Sequence, residues 1–461
     1  MSSASPVPIV TAPQGLPGLG HLVPLLRDPL DFLSSLPRYG DLVRIGIGPF
    51  TAVVVCDPEL LRHMLRHDRI FDKGGPFIER TREVVGDGLG TCPYSQHRRL
   101  RRLLQPAFHP TRIAGYASVM TPRIAQLVES WQDGQTVDFI RQLHALTSGI
   151  TAATLLTESV PKPTLDQMIK DADVIFDCMV RRAFMPSPLL RLPIVGNRAY
   201  LHAITNLRGT LAQLIDARRD AGVDKGDLLS ALITSRDDRG GKLSDIEIID
   251  QVITFFLGGT QTTANTVGWA LSMLNQHPDV AERFHTEVDS ILKGRPASYE
   301  DLPRLPVTTR IVIETLRLWP TLWFLTRTIT TDTELGEYVL PAGTNIFYSA
   351  YIIHHRADLY PDPDRFDPDR WDPAITNTPP HRVFFSFGDG ARKCIADTFA
   401  LTMATMILAT IGARWQVHPI SGNDNRPALS SVLRPRKLCM RVTARTPSAR
   451  RSGHYEFDFY S

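Results

Sequence analysis

The stretch Phe-Ser-Phe-Gly-Asp-Gly-Ala-Arg-Lys-Cys occupies residues 385–394 and runs directly into an apolar segment. Gly388 and Gly390 break it into a loop, whereas apolar residues recur at helical spacing over residues 395–411. The sequence therefore predicts that Cys394 lies where a tight loop becomes a buried helix. Backbone N–H groups and the positive end of the helix dipole are expected to hold its sulfur as a thiolate.

A lone thiolate in a shaped loop suits the axial ligand of an iron atom, and thiolate-ligated haem favours O–O cleavage. The two glycines permit the positive φ angles that fold a loop beneath a flat cofactor. Arg392 could then donate a charge-assisted hydrogen bond to a haem propionate. A small core residue is the simpler interpretation of Cys394, and for an isolated cysteine it is the usual one.

Phe387, Gly390, Arg392 and Cys394 together resemble the haem-binding loop of the cytochrome P450 family, whose pattern is Phe-x-x-Gly-x-Arg-x-Cys-x-Gly. Ala396 stands where the family usually has glycine, which is a mild departure because the position needs only a small side chain. The resemblance implies the cytochrome P450 fold, mainly α with a small β-rich lobe. It also implies haem b as the cofactor, with Cys394 as its axial thiolate.

The composition is that of an ordinary globular protein, with 461 residues of which 43% are hydrophobic and 21% are charged. A formal net charge of +3 argues against a nucleic-acid-binding protein. The five cysteines are scattered without a CxxC pair, which fits a reducing cytoplasm. The N-terminus lacks the features of a signal peptide, and no run reaches the roughly 20 apolar residues that span a bilayer. We therefore expect a cytoplasmic protein without a membrane anchor.

The chain is expected to form one haem domain over residues 1–461, with a Pro/Gly-rich arm at 1–20 and a polar tail at 447–461. Residues 71–91 are broken by glycine and are expected to form a long flexible loop. Short strand patterns occur at 42–47, 51–56, 326–330, 338–340 and 345–348.

Helical patterns dominate residues 95–233. Ser244 and Glu247 form a capping box that predicts the start of a long helix ending near residue 274. Two further helices are predicted at 281–292 and 307–318.

Glu314 and Arg317 lie one turn apart on the helix predicted at 307–318 and share one of its faces. A solvated surface pair is the usual interpretation of this spacing, but the neighbouring residues are apolar, which favours burial. A buried pair needs a third partner, and the segment Pro368-Asp-Arg-Trp371 offers Arg370. The three residues resemble the structural triad of the P450 family, which holds the haem-binding core together.

Residues 258–263, Gly-Gly-Thr-Gln-Thr-Thr, interrupt an otherwise apolar helix. A kink or a close packing site is one interpretation. The segment also resembles the oxygen-activation segment of the P450 family, which implies that Thr262 hydrogen-bonds dioxygen. Gln261 stands where the family usually has a carboxylate, and an amide does not relay a proton as a carboxylate does. Proton delivery is therefore expected to use water, Thr262 and Thr263.

The run His97-Arg-Arg-Leu-Arg-Arg102 begins a helix, and a solvated face is the usual interpretation of such a run. The family resemblance implies that His97, Arg101 and Arg327 contact the haem propionates. The other basic residues of this region are expected to point outward and to form a docking patch for an acidic ferredoxin. They are Arg98, Arg99, Arg102 and Lys393.

Family topology also implies a group of substrate-contacting residues, for each of which core packing is an equal alternative: Phe176, Phe256, Thr260, Trp323 and Phe324. They are mostly large and apolar, which favours an apolar ligand held by its shape. Residues 71–76 and 197–222 resemble those of bacterial family members that oxidise sesquiterpenes.

The expected function is that of a monomeric haem-thiolate monooxygenase, which inserts one atom of O2 into a C–H bond of a terpenoid of secondary or antibiotic metabolism. Ferredoxin and ferredoxin reductase would donate the electrons. Two alternatives remain open. One is a haem-thiolate isomerase or dehydratase that needs no external electrons, and the other is a haem sensor without catalytic activity.

Overall fold

The longest helix among the described residues, Asp245–Gln276, begins at the capping box that the sequence predicts. The Ser244 hydroxyl accepts a hydrogen bond from the Glu247 backbone N–H, and the Glu247 carboxylate accepts one from the Ser244 N–H. The box satisfies N–H groups that a helix start leaves without partners. Most residues of this helix are buried, polar ones included. The Gly-Thr segment at 258–263 does not interrupt it.

The structure is a computed structural model that describes residues 7–156, 160–183, 185, 187–190, 192, 196–222, 225–237, 240–376, 380–428 and 430–445. The tail expected at 447–461 and the first six residues of the expected arm lie outside the described residues. Within the described ranges, none of the helices combines the length and the apolar character that crossing a membrane requires.

The helices of the described residues are, in chain order, α1 (Leu22–Arg27), α2 (Pro29–Ser35), α3 (Pro58–Arg66), α4 (Pro76–Val85), α5 (Tyr94–Leu104), α6 (Pro110–Glu129), α7 (Phe139–Leu156), α8 (Lys162–Ala183), α9 (Ser187–Leu190), α10 (Asn197–Ala221), α11 (Leu228–Thr234), α12 (Asp245–Gln276), α13 (Pro278–Leu292), α14 (Pro306–Leu318), α15 (Ala350–His354) and α16 (Asp397–Arg414). The predicted helices at 281–292 and 307–318 are confirmed as α13 and α14.

The strands of the described residues are β1 (Val10–Thr11), β2 (Leu42–Ile47), β3 (Phe50–Val55), β4 (Phe71–Lys73), β5 (Thr136–Asp138), β6 (Leu325–Ile329), β7 (Thr333–Leu335), β8 (Tyr338–Leu340), β9 (Asn345–Tyr348), β10 (Trp415–Pro419), β11 (Asp424–Pro427), β12 (Pro435–Lys437) and β13 (Cys439–Ala444). The strands predicted at 42–47 and 51–56 are confirmed as β2 and β3, which pair antiparallel, although β3 covers Phe50–Val55.

The main sheet has six strands in the order β1-β2-β3-β9-β6-β4. Strand β9 lies parallel to β3 and antiparallel to β6, whose other side pairs with β4. Strand β4 pairs with β6, which follows it by some 250 residues in the chain, and this pairing places Lys73 directly opposite Arg327. The smaller sheets are β10-β13-β5, β11-β12 and β7-β8.

Helix α12 packs against α7 and α16, and α16 also packs against α6, α13 and α14. The indole rings of Trp269 on α12 and Trp319 at the end of α14 stack with centroids 4.1 Å apart. The two helices that carry Thr262 and the Glu314 pair are therefore fixed relative to each other through this helical core.

Residues 71–91 do not form the long flexible loop that was expected. They contain β4 and the two-and-a-half-turn helix α4, which begins with Pro76 in its first turn and ends at Gly86. Phe77 packs on Phe324 with ring centroids 4.7 Å apart, so tertiary contact stabilises a helix whose glycine flanks resemble a loop. The expected loop was wrong because its glycines lie at the ends of the helix and not within it.

Candidate active site

The loop that ends at Cys394 is closed by its own backbone. Cys394 N donates a hydrogen bond of 2.9 Å to the Phe387 carbonyl. Gly388 and Gly390 have φ angles of +72° and +69°, in the left-handed region that their residue type permits. A Cβ on Gly390 would lie 2.7 Å from the Leu65 carbonyl oxygen, so the loop can approach α3 only with glycine there.

The Cys394 side chain is accessible from a cavity, although it lies deep within the protein. Burial raises the pKa of its thiol and outweighs the opposing effects of the Ala396 backbone N–H and of Arg101. The helix start thus opposes the effect of burial, as the sequence predicts, without cancelling it. Coordination to a metal deprotonates a thiol outright, so a metal bound at Cys394 would hold its sulfur as a thiolate.

The cavity extends from the Cys394 loop to α12, and its walls are mostly apolar. Segments that are distant in sequence supply large apolar side chains. Among them are Phe77, Ile78 and Val85 of α4; Phe108 between α5 and α6; Phe176 and Met179 of α8; Phe255 and Leu257 of α12; and Leu322, Leu325 and Phe385. Shape and apolar contact therefore dominate what the cavity offers to a ligand.

Of the five residues expected to contact a substrate, Phe176 lines the cavity. The other four are buried elsewhere in the core: Phe256, Thr260, Trp323 and Phe324. On α12 the cavity wall carries Phe255 instead of Phe256, because successive helical residues point 100° apart. The cavity wall carries Leu322 before β6 and Leu325 at the start of β6, while the Trp323 indole N–H donates to the Ser430 carbonyl at 2.9 Å.

Thr262 lines the cavity on the same face of α12 as Gly258, four residues earlier. Its hydroxyl donates a hydrogen bond of 2.6 Å to the Gly258 carbonyl. A Cβ on Gly258 would meet nothing within 4 Å, whereas one on Gly259 would lie 2.8 Å from the Thr151 hydroxyl. Gly258 thus leaves space on the cavity side, and Gly259 lets α7 approach.

Gln261 is buried but lies outside the cavity wall. Its amide nitrogen donates a hydrogen bond of 2.5 Å to the carboxylate of Asp173 on α8. The amide that stands where the family usually has a carboxylate is therefore joined to an acid that sequence reasoning did not find.

One wall of the cavity is strongly basic. His97, Arg101 and Arg327 line it, as the resemblance implies, and Lys73 lines it as well. Burial, reinforced by neighbouring cations, lowers the pKa of His97 to about 3, so its imidazole is neutral at pH 7. Burial also lowers the pKa of Lys73 well below its ordinary value, and Arg327 and Arg392 lower it further.

Lys73 and Arg327 lie directly opposite each other on β4 and β6. Two cations in this position repel each other, and this repulsion contributes to the lowered pKa of Lys73, which a buried anion would relieve. Arg327 is 2% exposed, and among the described residues nothing accepts a hydrogen bond from its Nε or Nη1 atoms. The wall is therefore incomplete without a buried acidic group.

Arg392 lines the cavity, but its guanidinium is held mainly by protein groups. It donates to the carboxylates of Asp68 and Asp72, both at 2.9 Å, and to the Cys92 carbonyl at 2.7 Å. Its main contribution in this structure is to join the Cys394 loop to the segments before and within β4. This differs from the expected role as a propionate ligand.

The predicted triad is brought together behind the Cys394 loop. Arg317 donates two hydrogen bonds to the Glu314 carboxylate, of 2.9 and 2.8 Å, and both side chains are fully buried. Arg370 lies 3.4 Å from the same carboxylate, and the Trp371 indole donates to it at 2.9 Å. The helix pair is therefore buried as predicted, with the third partner in place.

His354 connects the triad to the Cys394 loop, and sequence reasoning missed it. Its Nε2 accepts a hydrogen bond of 2.9 Å from the Phe385 backbone N–H, so Nδ1 carries the proton and donates to the Arg317 carbonyl at 3.0 Å. Burial and the Arg317 charge lower the pKa of His354 well below its usual value, which keeps the ring neutral. The only sequence signal was its position at the end of a short helix after Ser349.

An iron porphyrin would supply both groups that the cavity lacks. Its iron would bind the Cys394 sulfur, and its two carboxylates would complete the basic wall around Lys73 and Arg327. The fold and the site therefore define a haem-thiolate protein.

Comparison with known proteins gives the same class. The family model "Cytochrome P450" matches residues 11–440. The chain is 43% identical over 438 residues to pentalenene oxygenase of Streptomyces avermitilis, which covers 95% of this chain and 98% of that protein. It is 40% identical over 414 residues to cyclooctat-9-en-7-ol 5-monooxygenase of Streptomyces melanosporofaciens, with coverage of 89% and 90%.

Among solved structures, the haem domain of cytochrome P450DA superimposes with a TM-score of 0.85 at 27% identity, over 96% of this chain and 99% of that one. The chain therefore belongs to the cytochrome P450 family. It is a monooxygenase whose cofactor is haem with a cysteine thiolate as the axial ligand.

Replacing Lys73 with methionine tests the basic wall. The variant keeps the length and apolar stem but loses one charged hydrogen bond to a propionate, a loss of about 1.5–3 kcal/mol, or roughly 10- to 100-fold in haem affinity. We expect haem to transfer correspondingly faster to excess apomyoglobin. Lys170→Met, on the exposed face of α8, is the control and should release haem at the wild-type rate. Equal rates of haem release from the two variants would show that Lys73 does not bind a propionate.

Replacing His354 with phenylalanine tests the link between triad and loop. The ring still stacks on Phe384, now 5.4 Å away, but the Phe385 N–H and the Arg317 carbonyl lose their partner. We expect the free energy of unfolding to fall by about 2–4 kcal/mol, measured by denaturant titration. His355→Phe loses one bond to a carbonyl of its own helix and should cost less than about 1 kcal/mol. Similar losses in the two variants would contradict the special position of His354.

Proposed function

We propose that the chain inserts one oxygen atom from O2 into a C–H bond of an apolar terpenoid. The observation that carries the proposal is one cavity that both Cys394 and Thr262 line, with mostly apolar walls. Haem bound through a thiolate supplies the activation of O2. The two Streptomyces relatives act, by their names, on pentalenene and cyclooctat-9-en-7-ol, and both compounds are terpenoids.

Cys394 is proposed as the axial ligand, in a loop whose shape depends on Phe387 and Gly390. The neutral His97 would donate one hydrogen bond to a propionate, and the remaining charged contacts would come from the rest of the basic wall: Lys73, Arg101 and Arg327. The triad and Arg392 would hold this loop in position from behind and from the side.

Thr262 is proposed as the hydroxyl that hydrogen-bonds dioxygen. In this structure the Thr262 proton is donated to the Gly258 carbonyl, so donation to dioxygen requires the hydroxyl to turn away from that carbonyl. Its oxygen can meanwhile accept a hydrogen bond, for example from a water molecule in the cavity, and would thus order a proton donor beside the reacting oxygen.

Binding of a terpenoid is tested by titrating the purified ferric protein with sesquiterpenes, diterpenoids, steroids and fatty acids. We expect a saturable low-spin to high-spin shift with a terpenoid, because an apolar ligand displaces water from the iron. Cys394→Ser should lose the haem-thiolate spectrum. A shift with steroids or fatty acids alone would contradict the terpenoid class.

A larger side chain at Gly258 gives the matched binding control. Gly258→Val should project into the open space of the cavity and raise the Kd of a bulky terpenoid by about tenfold or more, which equals about 1.4 kcal/mol. The effect on the Kd of a small ligand such as imidazole should be smaller.

The electron donor is proposed to be an acidic ferredoxin, reduced by a ferredoxin reductase. An open groove beside α5 meets the cavity at His97 and Arg101, and its other charged residues are mostly basic: Arg98, Arg102, Arg112 and Asp68. Arg99 was expected in this surface, but it pairs with Asp237 and Glu247.

We also propose that the protein is a monomer and that it lies in the cytoplasm. All five cysteines are unpaired, as a reducing compartment favours.

Charge reversal in the groove tests this docking surface. The double variant Arg98→Glu and Arg102→Glu should raise the KM for a ferredoxin by about tenfold at low salt, with a smaller difference at high salt because ions screen the attraction. Arg141→Glu on α7 makes the same change outside the groove and should leave KM unaltered. A wild-type KM in the double variant would contradict the surface.

A further inference from the structure

The contact between α8 and α12 beside the cavity contains a carboxylate that the proposed function has not used. The Asp173 Oδ1 atom accepts the 2.5 Å hydrogen bond from Gln261, and the His144 ring of α7 lies 3.7 Å from the same oxygen. His144 in turn lies 2.9 Å from the amide oxygen of Asn265 on α12. Three helices therefore converge on one acid.

Asp173 is partly exposed and contacts a residue that lies next to the cavity wall in the chain. Its side chain is 46% exposed, whereas Gln261 is 5% exposed. Phe176 lies one turn further on the same face of α8 and lines the cavity, and Thr262, the residue after Gln261, lines it from α12. Asp173 therefore contacts Gln261, whose neighbour in the chain, Thr262, lines the cavity.

The proposed reaction needs such a path. In R–H + O2 + 2 H⁺ + 2 e⁻ → R–OH + H2O, the ferredoxin supplies both electrons, but both protons must come from outside the cavity. Gln261 has no proton to give, since an amide does not ionise near neutral pH. A partly exposed carboxylic acid can take up and release a proton in each turnover.

We propose that Asp173 delivers these protons to the Thr262 side of the cavity through water, with Gln261 holding its carboxylate in position. This inference rests on the proposed monooxygenase function. Asp173 accepts a proton from bulk water, passes one to a water molecule beside Thr262, and returns to its starting charge. The acid and the hydroxyl are thus on two helices, α8 and α12, and Asp173 is a positioned acid that acts through water.

The alternative is a purely structural contact between the two helices, and Asp173→Asn separates the two roles. Asparagine keeps an oxygen that accepts from Gln261 but loses the acid. We expect O2 consumption and product formation to fall about 100-fold, the size of effect that a positioned general acid gives. The ratio of rates in H2O and D2O should rise as proton delivery becomes limiting. The ligand-induced spectral shift and the thermal midpoint should stay at their wild-type values.

Three further variants complete the test. Asp173→Glu should restore most of the rate, and Gln261→Glu in the Asp173→Asn background should restore part of it by placing an acid beside Thr262. Asp177→Asn removes a carboxylate of 58% exposure one turn further along α8 and should change nothing. A lowered thermal midpoint in Asp173→Asn without a larger isotope effect would establish the structural role and overturn the proposal.

The measured reaction is O2 consumption with whichever apolar compound gives the largest spectral shift, so the test does not depend on the terpenoid class. Wild-type turnover with an unchanged Asp173→Asn rate would overturn the role of Asp173 alone. No O2-dependent turnover of the wild type with any electron donor would overturn the proposed function and this inference with it.

Discussion

The buried pairing of Glu314 with Arg317 is the constraint from which the rest of the site follows. Neither side chain has contact with solvent, so the cost of removing two charges from water must be met by geometry. The structure meets it with a two-point ion pair, with Arg370 and with the Trp371 indole. Removing one partner of such a pair typically costs about 3–5 kcal/mol, which makes the whole segment after α15 depend on it.

That dependence reaches the cofactor loop through hydrogen bonds to backbone groups. Arg317 also donates to the backbone carbonyls of His354, Pro363 and Arg365, so the guanidinium organises a coil that has little regular structure of its own. His354 then passes the order on to Phe385, at the start of the Cys394 loop. A loop with two left-handed glycines is thus held from behind by a charged cluster, and this explains how an irregular segment can present one sulfur in a fixed position.

Most features predicted correctly from sequence are encoded locally, whereas Arg370 and Arg327 were found through the family resemblance. Each local feature spans ten residues or fewer: the Cys394 loop, the capping box at Ser244 and the Glu314–Arg317 pair. Lys73 was missed because its place opposite Arg327 depends on the pairing of β4 with β6, which no local pattern specifies. Asp173 was missed for the same reason, since it meets Gln261 only when α8 packs beside α12.

The errors in the substrate pocket have a geometric cause. Phe255 lines the cavity and Phe256 does not, so a prediction that finds the right helix can still choose the wrong face. The loop after α4 adds a further wall that sequence cannot place. The Asp250 carboxylate accepts from Asp87 N and from Arg208, while Gln251 accepts from Leu89 N, so this loop is fastened to α12.

The residues that would hold the cofactor and those that would contact the substrate are encoded differently in the chain. Those that would hold the cofactor are mostly basic, and the family resemblance marks most of them. The groups that face the substrate are apolar side chains from α4, α8, α12 and the segment before β6, and they meet only in the folded protein. A substrate class is therefore a property of how these elements pack, which is why the sequence indicates the chemistry more sharply than the molecule on which it acts.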